Sequence, residues 1–290
     1  SSSSRFLSNI LLLILLGCFM PIAVAQDSDD SIFSFAGDTA VVSKYIWRGQ
    51  RLTDDWSHQT GGTVGIGGFS FNVWGNMDLT AVNEGDALKL VNNYSDGGLK
   101  GRFTEVDYTF SYSHSLEGSP FALDTGAIIY TFPGREASLA TTTEIYGSVS
   151  ADSFGSPSAT IYIDVDESGR GSGTNGIYFL LAAGHSIESS HPNFTGVDFS
   201  ASVSMVNGGF GNFYYGADKS GAHDINIGFS VPITINDNWS AGFFVSHSRL
   251  LGTFESYQFV DPRLTYKGTA GTPASYAGTT VGGFTLSLGF

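Results

Sequence analysis

The sequence predicts an all-β fold, a single antiparallel transmembrane β-barrel of about twelve strands that follows a cleaved signal peptide. Three observations predict it. Apolar and small polar residues alternate with a period of two along most of the chain. The connections between these segments tend to be short and long by turns, as in outer-membrane barrels. The chain ends in GGFTLSLGF, with Phe284, Leu286, Leu288 and Phe290 on one face and Thr285, Ser287 and Gly289 on the other.

The first element is an export signal over residues 1–25. Arg5 supplies the positive end, Ile10 to Met20 the apolar core, and Ala23-Val24-Ala25 the small-x-small cleavage site before Gln26. The apolar run is short of the roughly 20 residues that a membrane helix needs. Cys18 lies inside this core as a small apolar residue and is the chain's one cysteine. The remaining segment, 26–290, reads as one barrel domain. It has no cysteine, so something other than disulfides holds it, such as a closed hydrogen-bonded sheet. The acidic lead-in DSDDS (27–31) precedes the first strand.

Twelve strands are expected near 35–48, 59–66, 69–79, 104–115, 120–132, 141–150, 158–166, 177–187, 197–207, 222–231, 239–250 and 279–290. The alternation is clearest in HDINIGFSV (223–231), where Ile225, Ile227, Phe229 and Val231 oppose Asp224, Asn226, Gly228 and Ser230. A soluble barrel hides such a face inside; a membrane barrel turns it to lipid and keeps small polar residues in the lumen. Composition favours the second. Charged residues are 14%, against about 25% in an ordinary soluble domain. Gly67-Gly68 and Glu117-Gly118-Ser119 make tight turns, whereas 80–103, 208–221 and 251–278 are long. A bare aromatic C-terminus on a sheet edge invites aggregation unless the sheet closes. It also resembles the insertion signal of bacterial outer-membrane proteins.

The first strand raises a question, because SKYIWRGQRLTDD (43–55) runs from aromatics into Arg48 and Arg51 in a chain with few bases. On an unbroken strand, Tyr45 and Trp47 face lipid as part of an aromatic girdle, with Phe290 at the other terminus. Lys44 and Arg48 then point into the lumen towards Asp78, Glu105 and Asp107. A buried cation among inward carboxylates is paired rather than stranded. Either this cluster is a constriction that selects permeants, or it is a salt-bridge network that fills a narrow barrel.

The pattern Ser43-x-Tyr45-x-Trp47-Arg48-Gly49 resembles the first strand of the TorF-like porin family. FSFNVWGNMDL (69–79) and FTEVDYTFSYS (103–113) are similar to its next strands. The likeness covers the first third of the chain and its last strand. It implies an outer-membrane barrel with a pore role and brings no catalytic residues with it.

Other chemistries find little support. With Arg5 removed, 12 basic residues face 27 acidic ones, which argues against a nucleic-acid partner. Of the six histidines only His191 has a serine two positions away, the spacing that puts both on one face of a strand, and Ser189 and His191 lie in a connection between expected strands rather than on one. DVDESG (164–169) resembles the start of a calcium loop, but Asn175 stands where a bidentate Glu is needed. GRGSG (169–173) lacks the lysine of a phosphate loop. The aromatic stretch at Phe210, Phe213, Tyr214 and Tyr215 is expected to fold over the barrel mouth. No cofactor or metal is expected.

The sequence therefore points to an outer-membrane passive channel for small solutes with cation preference. A plugged scaffold barrel that binds periplasmic or surface partners is the alternative, and a lipid-modifying enzyme the remote one. The expected partners are the lipid bilayer, the outer-membrane assembly machinery and small solutes. Nothing in the sequence fixes an oligomeric state.

Overall fold

A computed structural model describes residues 33–80, 100–133, 141–166, 174–257 and 278–290. The expected signal (1–25), the acidic lead-in (27–31), the GRGSG stretch (169–173, like Ser168 before it) and much of the loops 80–103 and 251–278 lie outside the described residues.

In chain order, β1 (Phe33–Val42) is followed by the short strands β2 (Tyr45–Trp47) and β3 (Gln50–Thr53). Then come β4 (Ser57–Ile66), β5 (Phe69–Asp78), β6 (Phe103–Ser115), β7 (Phe121–Thr131), β8 (Thr141–Ala151) and β9 (Ser158–Asp164). β10 (Ile177–Glu188) and β11 (Gly196–Val206) lead into a helix, α1 (Gly208–Tyr215). The chain finishes with β12 (Gly221–Thr234), β13 (Trp239–Leu250), a 3-10 turn (Gly252–Tyr257) and β14 (Thr279–Gly289).

Twelve strands, β1 and β4 to β14, close into one antiparallel barrel, each paired with its sequence neighbour. β14 closes against β1 in the register Ala36 opposite Gly289 to Val42 opposite Gly283. Phe35 and Phe290 exchange backbone bonds of 3.2 and 2.9 Å at the seam. This closure leaves no free edge at the C-terminal strand.

Alternation sets inside and outside. In β6, Asp107, Thr109 and Ser111 are buried while Tyr108, Phe110 and Tyr112 are exposed on the outer surface. Ile145, Ile161, Leu181, Phe199, Ile227 and Phe284 continue the outer apolar surface around the wall. Such a surface costs free energy in water and none in lipid, so this is a membrane-spanning barrel. Exposed aromatic residues gather at the tight-turn end: Phe33, Phe69, Tyr112, Phe121, Phe154, Trp239 and Phe290.

One expected strand is wrong. The first strand does not run unbroken to Arg48: β1 leaves the wall at Val42, and residues 45–53 form a separate hairpin, β2–β3. This hairpin folds into the lumen at the long-loop end. With α1 it builds an enclosed core inside the barrel, in which Tyr130, Tyr162, Tyr178 and Leu180 meet Phe210, Tyr215 and Phe254. The helix α1 is a second departure from an all-strand reading.

Candidate functional site

The plug starts where β1 ends. Ser43 ties the departing chain to β14: its N–H donates to Gly282 O at 2.8 Å, and its Oγ accepts from Gly282 N at 3.0 Å. The hairpin then turns at Arg48-Gly49, with Trp47 opposite Gln50. Both turn residues have positive φ, 46° and 75°, as a two-residue type I′ turn requires. Gly49 suits that conformation and also a tight seat. A Cβ there would lie 2.7 Å from Leu250 Cδ2 and 2.8 Å from Asp224 Cβ.

Three wall carboxylates anchor the hairpin. Arg48, only 4% exposed, reaches almost across the lumen to β8, where Nη1 and Nη2 donate to Glu144 Oε1 and Oε2, each at 2.7 Å. Tyr45 Oη donates to Glu105 Oε2 on β6 at 2.9 Å. Thr53 Oγ1 donates to Asp78 Oδ1 on β5 at 2.9 Å. The Arg48 guanidinium also lies 4.5, 4.7 and 4.2 Å from the ring centroids of Trp47, Tyr162 and Tyr178. Desolvated cation–π contacts of this kind contribute about 2 kcal/mol.

The wall behind this cation is a tyrosine ladder. Tyr146, Tyr162 and Tyr178 stand directly opposite one another across β8, β9 and β10, with ring centroids 5.7 and 6.1 Å apart. Tyr130 Oη donates to Glu144 Oε2 at 2.8 Å.

The second part of the plug is α1. Asn207 caps it: Oδ1 accepts from Phe210 N at 3.0 Å and from Ile177 N at 2.8 Å. Gly216, at φ 65°, ends it. Phe210 lies against Trp47, with centroids 6.4 Å apart, so helix and hairpin support each other. Tyr215 Oη bonds His223 Nε2 at 2.8 Å, and His223 Nδ1 bonds Asp224 Oδ2 at 2.7 Å. Tyr178 Oη donates to Asp224 Oδ2 at 2.9 Å, and Ser204 Oγ also donates to that carboxylate. His223 and Asp224 are fully buried, so the trio is a structural link with no access for a substrate.

The sequence-derived candidates fall as follows. Arg48, Asp78, Glu105 and Asp107 are all buried inside the barrel. Lys44 is not among them: it pairs at 2.5 Å with the exposed Asp54 on the hairpin's other arm. Tyr45 and Trp47 are not girdle residues. They sit in the lumen, Tyr45 against Trp74 and Trp47 against Tyr130 and Tyr214, with centroids 5.8, 6.2 and 5.1 Å apart. The physical reason is the departure of β1 from the wall before these residues. Phe290 is 71% exposed on the outer surface, its ring 6.4 Å from that of Phe35.

Sequence reasoning missed Glu144, α1 and the tyrosine ladder. Its one signal is the spacing of Tyr130, Tyr146, Tyr162 and Tyr178, which recur every sixteen residues. In the DVDESG stretch, Asp164 is buried and accepts from Thr142 Oγ1 at 2.5 Å. Among the described residues no group of three or more His, Cys, Asp or Glu is arranged to hold a metal.

Between the hairpin and the wall lies a cavity of about 30 Å³ lined by Asn72, Trp74, Asp107, Thr109, Ile128, Tyr130 and Tyr162 of the wall, and by Tyr45, Trp47 and Arg48 of the hairpin. Strand register explains the grouping. Asn72 stands opposite Thr109, Trp74 opposite Asp107, and Asp107 opposite Tyr130. Such pairs share one face of a sheet.

No family model matches the chain, and no curated protein matches its sequence. Among solved structures it is similar to the KdgM porin (8% identity, TM-score 0.45, 88% of this chain and 99% of that one). It is also similar to an anion-selective porin from Comamonas acidovorans (9%, 0.32, 90% and 99%). A third is Pseudomonas putida OprB in its high-pH structure (8%, 0.34, 89% and 93%). The barrel rests on this chain's own strand pairing rather than on these distant likenesses.

Proposed function

We propose that the chain is an outer-membrane channel of porin type, narrow and cation-preferring, held closed at its long-loop end by the β2–β3 hairpin. One observation carries the cation preference. The described residues bury seven carboxylates (Asp78, Glu105, Asp107, Glu144, Asp164, Asp198 and Asp224) and a single arginine, Arg48. A passage walled by one sign of charge concentrates the opposite ion. The solutes are small, no chemical turnover is involved, and the assembly machinery reads the C-terminal strand. Ser43, Tyr45, Trp47, Arg48 and Gly49, the residues on which the TorF-like resemblance rests, each hold a contact of the plug.

The deciding experiment is conductance of the refolded protein in a planar bilayer under a salt gradient. Discrete steps with a cation-biased reversal potential support the proposal; an anion bias overturns it. The plug itself favours a second reading, a barrel closed for good that serves as a scaffold. Silence from the folded protein, persisting after the hairpin is excised, selects that reading.

A further inference from the structure

We infer that Asp38, Asp124 and Asp198 form an acidic ring in the tight-turn half of the lumen, and that this ring sets the charge selectivity of the channel by acting on hydrated cations. The inference deepens the channel reading by naming the residues that discriminate, and it rests on that reading for their role in permeation.

Strand order carries it first. Asp38 is on β1, Asp124 on β7 and Asp198 on β11, and in the closed barrel three wall strands separate each from the next. One carboxylate on every fourth strand spaces them evenly round the barrel. All three face inward, in phase with buried residues of their own strands: Ala40 on β1, Ile128 on β7 and Ser200 on β11. They are the sixth, fourth and third residues of those strands, counted from the tight-turn end.

Their neighbours make them prominent. Across the adjoining strands, Asp38 stands opposite Gly61 and Ser287. Asp124 stands opposite Ser113 and Ser148, and Asp198 opposite Ser186 and Ser230. Each flanking residue is a serine or a glycine, so the carboxylates outreach them. A Cβ on Gly61 would come 3.1 Å from Asp38 Oδ1, so glycine leaves that carboxylate its room. Asp38 and Asp124 are half-buried, and Asp198 is held by hydroxyl donors, Ser186 Oγ at 2.6 Å and Ser230 Oγ at 3.4 Å.

A second, independent observation is the hydroxyls beside the ring. Ser200, the next inward residue after Asp198, is 7% exposed, yet its Oγ has no hydrogen-bond partner among the described residues. The same holds for Ser287 Oγ, opposite Asp38. Such groups are satisfied by a passing solute or its water. No described lysine or arginine stands in this half of the barrel. A field of one sign concentrates cations. Single carboxylates spread round a wall make no close shell of oxygens to replace hydration water, so the ring sorts by charge and not by ion size.

The test reads that field without requiring conductance. Cys18, the chain's one cysteine, is replaced by Ser, and Ala36→Cys puts a reporter on the half-buried inward position next to Asp38. The refolded full chain is treated at pH 8 and low salt with a cationic and an anionic methanethiosulfonate of similar size. The expected ratio of cationic to anionic rates is on the order of tenfold above that of a free thiol. Combining Asp38→Asn, Asp124→Asn and Asp198→Asn is expected to return it close to the free-thiol value. Sodium and potassium chloride are expected to lower it equally. If the triple variant fails to fold, each single substitution is expected to lower the ratio in part. A free-thiol ratio with the ring intact, a ratio that the substitutions leave unmoved, or a thiol that neither reagent reaches overturns the ring. A barrel silent in bilayers that shows the raised ratio refutes the channel and keeps the ring's field. A cation-selective barrel with a free-thiol ratio does the reverse.

Discussion

At the scale of residues, Arg48 explains why an apolar stretch ends in bases. Its inward placement follows from alternation, and alternation is legible in sequence. Its partner is not: Glu144 lies 96 residues away, and only the register of the intervening strands brings it across the lumen. Removing one member of a buried pair leaves an uncompensated charge and costs about 3–5 kcal/mol, whereas replacing both with apolar residues is often near neutral. Arg48→Ala is therefore expected to destabilise the barrel by that amount in equilibrium denaturation. Arg48→Met combined with Glu144→Met is expected to recover most of the loss. Equal losses in the single and double variants would show that the pair is not what holds the tip. Gly49→Ala tests the seat separately. It places a Cβ against Leu250 and Asp224 at a φ that costs a non-glycine residue about 1–2 kcal/mol. The expected readout is a lower midpoint of unfolding with a displaced hairpin.

At the scale of elements, the wall strands were readable and the plug was not, for one physical reason. A wall strand repeats its two-faced pattern over ten or so residues, and membrane and lumen enforce it. The hairpin carries the same alternation, so nothing in KYIWRGQRLT marks a departure from the wall except the turn pair Arg48-Gly49. The helix α1 is eight residues long, little more than two turns, too short for a helical period to show. Its signals are the cap Asn207 and the terminator Gly216. Asn207→Ala removes the acceptor for Phe210 N and Ile177 N, and loss of an N-cap costs about 0.5–2 kcal/mol. Faster amide exchange confined to 208–215 is the expected result, with the wall strands unchanged. The hairpin makes the sharper test. Replacing residues 44–55 with a short glycine-containing turn removes the Arg48, Tyr45 and Thr53 anchors together. The expected outcome is a larger and steadier single-channel step than the wild type gives. An unchanged conductance would mean that ions never pass at the level of the hairpin.

At the scale of the whole molecule, the two mouths of the barrel carry different charge. Among the described residues every lysine and arginine (Lys44, Arg48, Arg51, Lys100, Arg102, Lys219 and Arg249) belongs to the long-loop side. The tight-turn mouth has only acids, with Glu117, Asp152, Glu188 and Asp237 all exposed. The asymmetry was in the sequence, but it had no meaning until strand order told which connections share an end. A ring of like charge at one entrance raises the local concentration of cations there and leaves the other entrance unaffected. In the hairpin-excised barrel, inserted in one orientation, cation current is therefore expected to be larger when cations enter from the tight-turn side. The effect is electrostatic and exposed, so it should fade as the Debye length shrinks from about 10 Å at 0.1 M to about 3 Å at 1 M salt. Neutralising the four acids to Gln and Asn should abolish the rectification at low salt without removing the cation bias, because the lumen carboxylates remain. Rectification that survives both high salt and the fourfold variant would place its origin in the lumen, among Asp107 and its neighbours, and not at the mouth.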